Sequence, residues 1–405
     1  YWWGLGQSPN VPPSYLPLKG EPRMDKLLVK NARVYQDGQF ARADVLCEDA
    51  LIAKIGENLT DDGARIIDAG GMRLAPGFID VHTHGAAGVD VNAADEAGLR
   101  RIAAFFATQG VTAFNASVLT DTPETTEKCL GAIANVMSDR GKGAQLLGAH
   151  LEGPFLAREY KGAMPEYLLR EGDENLLRAY QNKYPGVIRY ITVSPEVPGV
   201  VEMIGKISHD VVVAIGHSGA DYDTSMEAIR RGARCVTHTF NAMRLFHQHQ
   251  PAIMGAALES DCWCEAICDG RHLHPGTVRM LLKCKGWDKV IAITDSIMAA
   301  GLPDGNYKLG VNDVVVKDGD AVLASNGVRA GSTLTLAQAL RNIVKFTDHP
   351  VQDVIPLMTI NPAKALRMDD RKGTLEAGKD ADMVLLDDEL NVVMTVGLGR
   401  VIYTA

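Results

Sequence analysis

Five separate apolar runs in this chain each end on a residue that can bind a metal ion. They are Phe78-Ile79-Asp80-Val81-His82-Thr83-His84, Leu146-Leu147-Gly148-Ala149-His150-Leu151-Glu152, Val211-Val212-Val213-Ala214-Ile215-Gly216-His217, Cys235-Val236-Thr237-His238, and Lys289-Val290-Ile291-Ala292-Ile293-Thr294-Asp295. Near-continuous apolar runs of this kind are strands buried on both faces, the condition of a parallel sheet covered by helices. Amphipathic segments such as Asp95 to Gln109 and Ser225 to Gly232 supply those helices. Chemistry-bearing residues at the carboxyl ends of most strands predict an α/β fold of the (β/α)8 TIM-like barrel kind, whose site is built at that end. A doubly wound sheet is the alternative, but it would gather its site at one switch point.

The donor types define the chemistry. His82 and His84 stand two apart, so on a strand their imidazoles share one face. Imidazole nitrogens combined with the carboxylates of Glu152 and Asp295 suit a divalent cation: zinc first, with Fe2+, Mn2+ or Ni2+ as the other candidates.

At 405 residues and 46% hydrophobic, the chain exceeds what one barrel needs. Residues 24–75 contain the short strands Leu27-Leu28-Val29, Ala32-Arg33-Val34-Tyr35 and Leu51-Ile52-Ala53-Lys54-Ile55. After a helical stretch from Val354 to Leu366, strands return at Met383-Val384-Leu385-Leu386, Val392 to Val396 and Val401-Ile402-Tyr403. Residues 24–75 and 368–405 are therefore expected to pair in a small discontinuous β-sandwich, with the barrel over 76–367. Residues 1–23 show no periodicity and read as a non-native or disordered extension outside the fold.

A net charge of -9 argues against nucleic acid as a partner. No stretch is apolar enough to span a bilayer and no secretory signal is evident, so neither membrane nor export is expected and the cytoplasm is the expected compartment. The seven cysteines include Cys262, Cys264 and Cys268, which lack a paired C-x-x-C spacing and read as reduced core thiols.

From Met24 to its end the chain resembles the N-acetylglucosamine-6-phosphate deacetylases of the amidohydrolase superfamily. The matching pieces are Pro76 to Gly85, His150-Leu151-Glu152-Gly153-Pro154-Phe155, Gly216-His217-Ser218, Thr237 to Met243, Asp269-Gly270-Arg271-His272, Thr294 to Gly301, Asn361 to Leu366 and Gly373 to Asp382. The resemblance implies that Glu152, His217 and His238 are metal ligands and that Asp295 is the catalytic aspartate. His82 and His84 match a pair that some members lose. Both are present here, which leaves room for one or two ions per subunit, with Glu152 between them and Asp295 touching the first. Asn241 and Ala242 match the corner that holds the sugar phosphate, and His272 matches a substrate contact. The implied substrate is a small N-acetyl amino sugar phosphate, hydrolysed to the free amine and acetate, and the implied assembly is a homodimer.

Two departures bear on the substrate. The family's Lys-Gly-Ala-His reads Lys161-Gly162-Ala163-Met164 here, and its arginine before an acidic residue and proline is replaced in His249-Gln250-Pro251. Arginine grips phosphate through a permanently charged fork, which a neutral histidine cannot match. His247 and His249 are read either as a protonatable phosphate contact reaching across a subunit interface, or as the mark of a shift to another N-acyl amino sugar, unphosphorylated or of galactosamine type. A solvated loop is the third reading. A cyclic amidase would carry a carboxylated lysine where Glu152 stands, and a non-catalytic scaffold would be free to lose part of the ligand set.

Overall fold

The computed structural model describes residues 26–138 and 143–405, so the extension expected over 1–23 lies outside the described residues. Eight strands form the barrel: β1 (Phe78–Thr83), β2 (Val111–Leu119), β3 (Gln145–Glu152), β4 (Ile188–Val193), β5 (Val212–Ile215), β6 (Cys235–Val236), β7 (Trp263–Ile267) and β8 (Val290–Ile293). Each pairs in parallel with the next. The ring closes just beyond β8. There Thr83 and Ser296 form a parallel bridge, Asp295 N donates to His82 O at 2.9 Å, and His84 N donates to Ser296 O at 2.7 Å.

The apolar runs are buried throughout; β2 has no exposed position. The helix Glu96–Thr108 buries Leu99, Ile102, Ala103, Phe106 and Ala107, the three-and-four spacing of a core-facing stripe. Its predicted limits, Asp95 and Gln109, are its caps, and the Asp95 carboxylate accepts from Gly98 N. The helix expected from Ser225 begins earlier, over Tyr222–Arg230, because Asp221 caps it. The stretch from Val354 is broken into Val351–Val354, a 3-10 turn Ile355–Met358 and Ile360–Ala365.

Strands from both ends of the chain share one branched eight-stranded sheet. The two segments expected at Leu27 and Ala32 are one strand, Leu27–Gln36, irregular between Val29 and Ala32. One edge of it pairs with Gln39–Glu48; the other pairs first with Arg65–Asp68 and then with Arg73–Pro76. Arg73–Pro76 in turn carries Met383–Leu386, and Val392–Gly397 and Arg400–Thr404 follow. This sheet encloses its own core, including Val29, Val45, Ile52, Leu74 and Leu385.

After β8 the chain makes a three-stranded antiparallel excursion, Gly305–Leu309, Asn312–Lys317 and Asp320–Leu323, which the sequence reading did not anticipate. It packs over the carboxyl end of the barrel through an apolar cluster of Leu119, Leu156, Met164, Ile297, Leu309 and Val314. Met164 therefore belongs to this cluster, which accounts for an apolar side chain at that position.

All seven cysteines are free and only Cys284 is exposed. Burial pushes the thiols of Cys47, Cys129 and Cys264 up to about 12, so they are inert core groups. Among the described residues no helix is long and apolar enough to cross a membrane.

Candidate metal centre

The strand ends deliver their ligands to one point. Glu152 is the last residue of β3, His217 and His238 lie two beyond β5 and β6, Asp295 lies two beyond β8, and His82 is the penultimate residue of β1 with His84 one beyond its end. His217, His238 and Asp295 hold left-handed backbones, with φ of 48°, 27° and 49°. Such a conformation costs a non-glycine residue roughly 1–2 kcal/mol, and strain of this kind is retained where it aims a functional side chain.

Two groups of possible ligands result, His82 with His84 and Asp295, and Glu152 with His217 and His238; within each, the ligand atoms lie within 4.8 Å of one another. Glu152 joins them. Its Oε1 is 3.1 Å from His217 Nε2, 3.3 Å from His238 Nε2 and 3.5 Å from His82 Nε2, while its Oε2 is 3.2 Å from His84 Nε2. Asp295 Oδ1 is 3.2 Å from His84 Nε2 and 3.5 Å from His82 Nε2.

The residues fit a cation because their lone pairs face one another. His217 Nδ1–H donates to Tyr160 O at 2.8 Å, His84 Nδ1–H to Ser117 O at 3.2 Å, and His82 Nδ1–H to Glu265 at 3.0 Å. A neutral imidazole has one N–H, so in all three rings Nε2 is left as a bare acceptor. These acceptors nevertheless approach other nitrogens: His82 Nε2 to His84 Nε2 at 3.2 Å, and His217 Nε2 to His238 Nε2 at 3.0 Å. Such contacts repel unless positive charge lies among them. The titration of the protein groups says the same. Burial depresses His82 and His84, but Glu152, Glu265 and Asp295 outweigh it for His82, and Asp295 and Glu152 for His84, raising them to about 9 and about 10. Burial opposes ionisation of Glu152 and Asp295 too, yet the surrounding histidines hold both below the usual carboxylate range. A divalent cation meets this demand for positive charge.

Glu265, from β7, was not singled out in the sequence. It is fully buried, accepts from His82 Nδ1 at 3.0 Å and from Tyr190 Oη at 2.6 Å, and also takes the backbone N–H of His238 at 3.0 Å. One carboxylate thus orients the His82 ring in one group and anchors the backbone of His238 in the other. The only legible signal is an acid within the apolar run Trp263-Cys264-Glu265-Ala266-Ile267. Carboxylates that orient ligand histidines contribute roughly 10–100-fold to metal affinity. Glu265→Gln is accordingly expected to weaken metal binding on the order of tenfold or more, read by competition with a chromophoric chelator. His150, also inside the barrel, bonds Ser117 Oγ and Thr192 Oγ1 at 2.8 Å each. Burial, helped by the neighbouring His82, keeps it neutral, well below the ordinary histidine value.

Above the centre opens a cavity of about 480 Å³, lined by His84, Glu152, His217, His238 and Asp295 at its floor. His82 lies beneath, fully buried. Asn241, Ala242 and His272 line the walls, and Asp269 Oδ2 holds His272 Nδ1 at 2.7 Å. His249 is not among the lining residues. It sits with His247 on an exposed loop, their rings 5.4 Å apart.

A closed barrel whose strand ends gather imidazoles and carboxylates around a cation position defines a metal-dependent hydrolase class, and the profile of the amidohydrolase family matches residues 73–402. The chain is 34% identical over 378 residues to the N-acetylglucosamine-6-phosphate deacetylase of Lysinibacillus sphaericus, covering 93% of this chain and 97% of that protein. It is 35% identical over 325 residues to the N-acetylgalactosamine-6-phosphate deacetylase of Escherichia coli O157:H7, covering 79% and 85%. Among solved structures, an Asp-to-Ala variant of the N-acetyl-D-glucosamine-6-phosphate deacetylase of Mycobacterium smegmatis, in complex with N-acetyl-D-glucosamine-6-phosphate, matches with a TM-score of 0.87 at 29% identity, over 94% of this chain and 100% of that one. The chain belongs to the amidohydrolase family and, within it, to the N-acetylglucosamine-6-phosphate deacetylases.

Proposed function

We propose that this protein hydrolyses the acetamide of N-acetylglucosamine 6-phosphate to glucosamine 6-phosphate and acetate. The observation that carries this is the convergence of Glu152, His217, His238, His82, His84 and Asp295 at the floor of a cavity of about 480 Å³, within the range of small-molecule sites. The bound ligand of the Mycobacterium smegmatis structure supports the choice of sugar.

Amides resist hydrolysis because water is a weak nucleophile and an amine a poor leaving group. A divalent cation held by these ligands supplies the first need by acidifying water and polarising the acyl oxygen. Asp295 meets the second: its carboxylate, kept ionised by the histidines around it, accepts the proton of the attacking water and returns it to the departing amine. The backbone of Asp295 is pinned by His82 O at 2.9 Å on one side and by Ser332 N at 2.8 Å on the other, so the carboxylate faces the cavity from a fixed base. Asn241, Ala242 and His272 orient the sugar.

The finer parts of this proposal are zinc as the metal, two ions per chain, a homodimer and a cytoplasmic location. The full six-ligand set supports two ions, the nitrogen-rich donors support zinc, and the buried free cysteines support a reducing compartment. The Escherichia coli relative makes galactosamine configuration the second reading. Acetate release from N-acetylglucosamine 6-phosphate, N-acetylgalactosamine 6-phosphate and N-acetylglucosamine tests all of this. Charged contacts to phosphate are expected to raise kcat/KM on the first about tenfold or more over the third. Equal rates with and without phosphate would end the phosphate claim, and a preference for the second substrate would reassign the sugar.

A further inference from the structure

We infer that Arg329, on the segment leaving the inserted hairpin, grips the anionic group of the substrate in place of the family arginine that His249 replaces; this rests on the reaction proposed above. His249 lies outside the cavity of its own chain and would reach a substrate only across a subunit interface, whereas Arg329, though partly exposed, lines the cavity of its own chain with His272. The guanidinium is already built into position. Its Nε donates to Asp320 Oδ1 at 2.9 Å, its Nη2 to Asp320 Oδ2 at 3.0 Å, and its Nη1 to the carbonyl of Arg271, the residue before His272, at 3.3 Å. Three of five N–H donors are thereby spent, leaving one on each terminal nitrogen for an anion.

The backbone is equally fixed. Arg329 bridges Val322, Ala330 N donates to Ala321 O at 3.0 Å, and two residues further on Ser332 N donates to Asp295 O at 2.8 Å. The cationic fork and the catalytic aspartate are thus carried by one short segment, which sets the distance between the anion grip and the scissile bond. Apart from the metal ligands, the other charged lining residues are Arg158, Glu159 and Lys161. Arg158 and Arg329 are both exposed, but among the described residues an ion pair holds only Arg329 of the two. A preorganised fork loses less freedom on binding than a loose one, which favours Arg329 over Arg158. Phosphate, planar in no view but offering paired oxygens, matches a fork with two free N–H groups.

The test compares the metal-loaded wild type with Arg329→Ala and Arg158→Ala. Glucosamine 6-phosphate and glucosamine are titrated by calorimetry, which needs no turnover, and KM is measured on the N-acetylated forms. Arg329→Ala is expected to weaken glucosamine 6-phosphate binding about 10–100-fold and to raise KM for the phosphorylated substrate alike, with the unphosphorylated sugar changed less than about twofold. Arg158→Ala should have the smaller effect. The inference is overturned if Arg329→Ala binds glucosamine 6-phosphate as wild type does, if both sugars weaken equally, or if the wild type does not prefer the phosphorylated sugar. A wild type that releases no acetate from any of these sugars removes the reaction instead, while selective loss of glucosamine 6-phosphate binding would still establish the grip.

Discussion

Asp295→Asn is expected to keep its metal and its fold while kcat falls on the order of 10³–10⁴-fold, the scale of a lost general acid–base. Asparagine has nearly the same shape and tolerates the left-handed backbone that residue 295 adopts at φ 49°. The main-chain bonds to His82 and Ser332 do not involve the side chain and survive the change. What disappears is a carboxylate able to take and return a proton beside His84 and His82. Steady-state kinetics with metal analysis on the same sample separates the two roles of this residue. Low turnover with full metal content identifies proton transfer; low turnover with half the metal identifies a ligand only; near-normal turnover removes Asp295 from the chemistry.

Glu152→Gln is the second large effect. Its two oxygens reach histidines of both ligand groups, His217 and His238 on one side and His82 and His84 on the other. No other side chain in the two groups is so shared. Exchanging it for a neutral amide removes charge from both positions at once, so metal content and activity should fall together. Losing the acidification of water, which a bound metal shifts by nearly nine pKa units, sets the expected loss at about 10⁴-fold or more. His84→Asn is the informative contrast: its ring touches Glu152 Oε2 and Asp295, so it should lower the metal count by one ion and spare the group formed by Glu152, His217 and His238. Equal metal loss in the two variants would refute the view of Glu152 as the shared ligand.

The barrel and its ligands were legible because each ligand terminates an apolar run, and burial makes such runs conspicuous. His82, Glu152, His217, His238 and Asp295 stand out against valine, isoleucine and alanine. Glu265 did not, because it lies inside its run and its role depends on a histidine 183 positions away. The inserted hairpin was missed for a different reason. Its middle strand, Asn312–Lys317, reads Asn-Asp-Val-Val-Val-Lys without polar–apolar alternation, and its buried face, Val314 and Val316, is completed by Met164, Leu156 and Leu119, which no local pattern connects to it. Arg329 is in the same position: an arginine near an aspartate at 320 reads as a surface ion pair, and only the fold shows that the pair borders the cavity. Asn241, Ala242 and His272 came from family resemblance, and the structure brings all three to the cavity wall, while His249 stands apart on its loop.

The most direct measurement is acetate release from N-acetylglucosamine 6-phosphate as zinc is returned, ion by ion, to protein stripped with a chelator. The stripped protein should be inactive, and the rate should climb with bound zinc to saturate at no more than two ions per chain. Undiminished turnover in protein shown to be free of metal, or full zinc occupancy without acetate release, would contradict a cation-centred deacetylase.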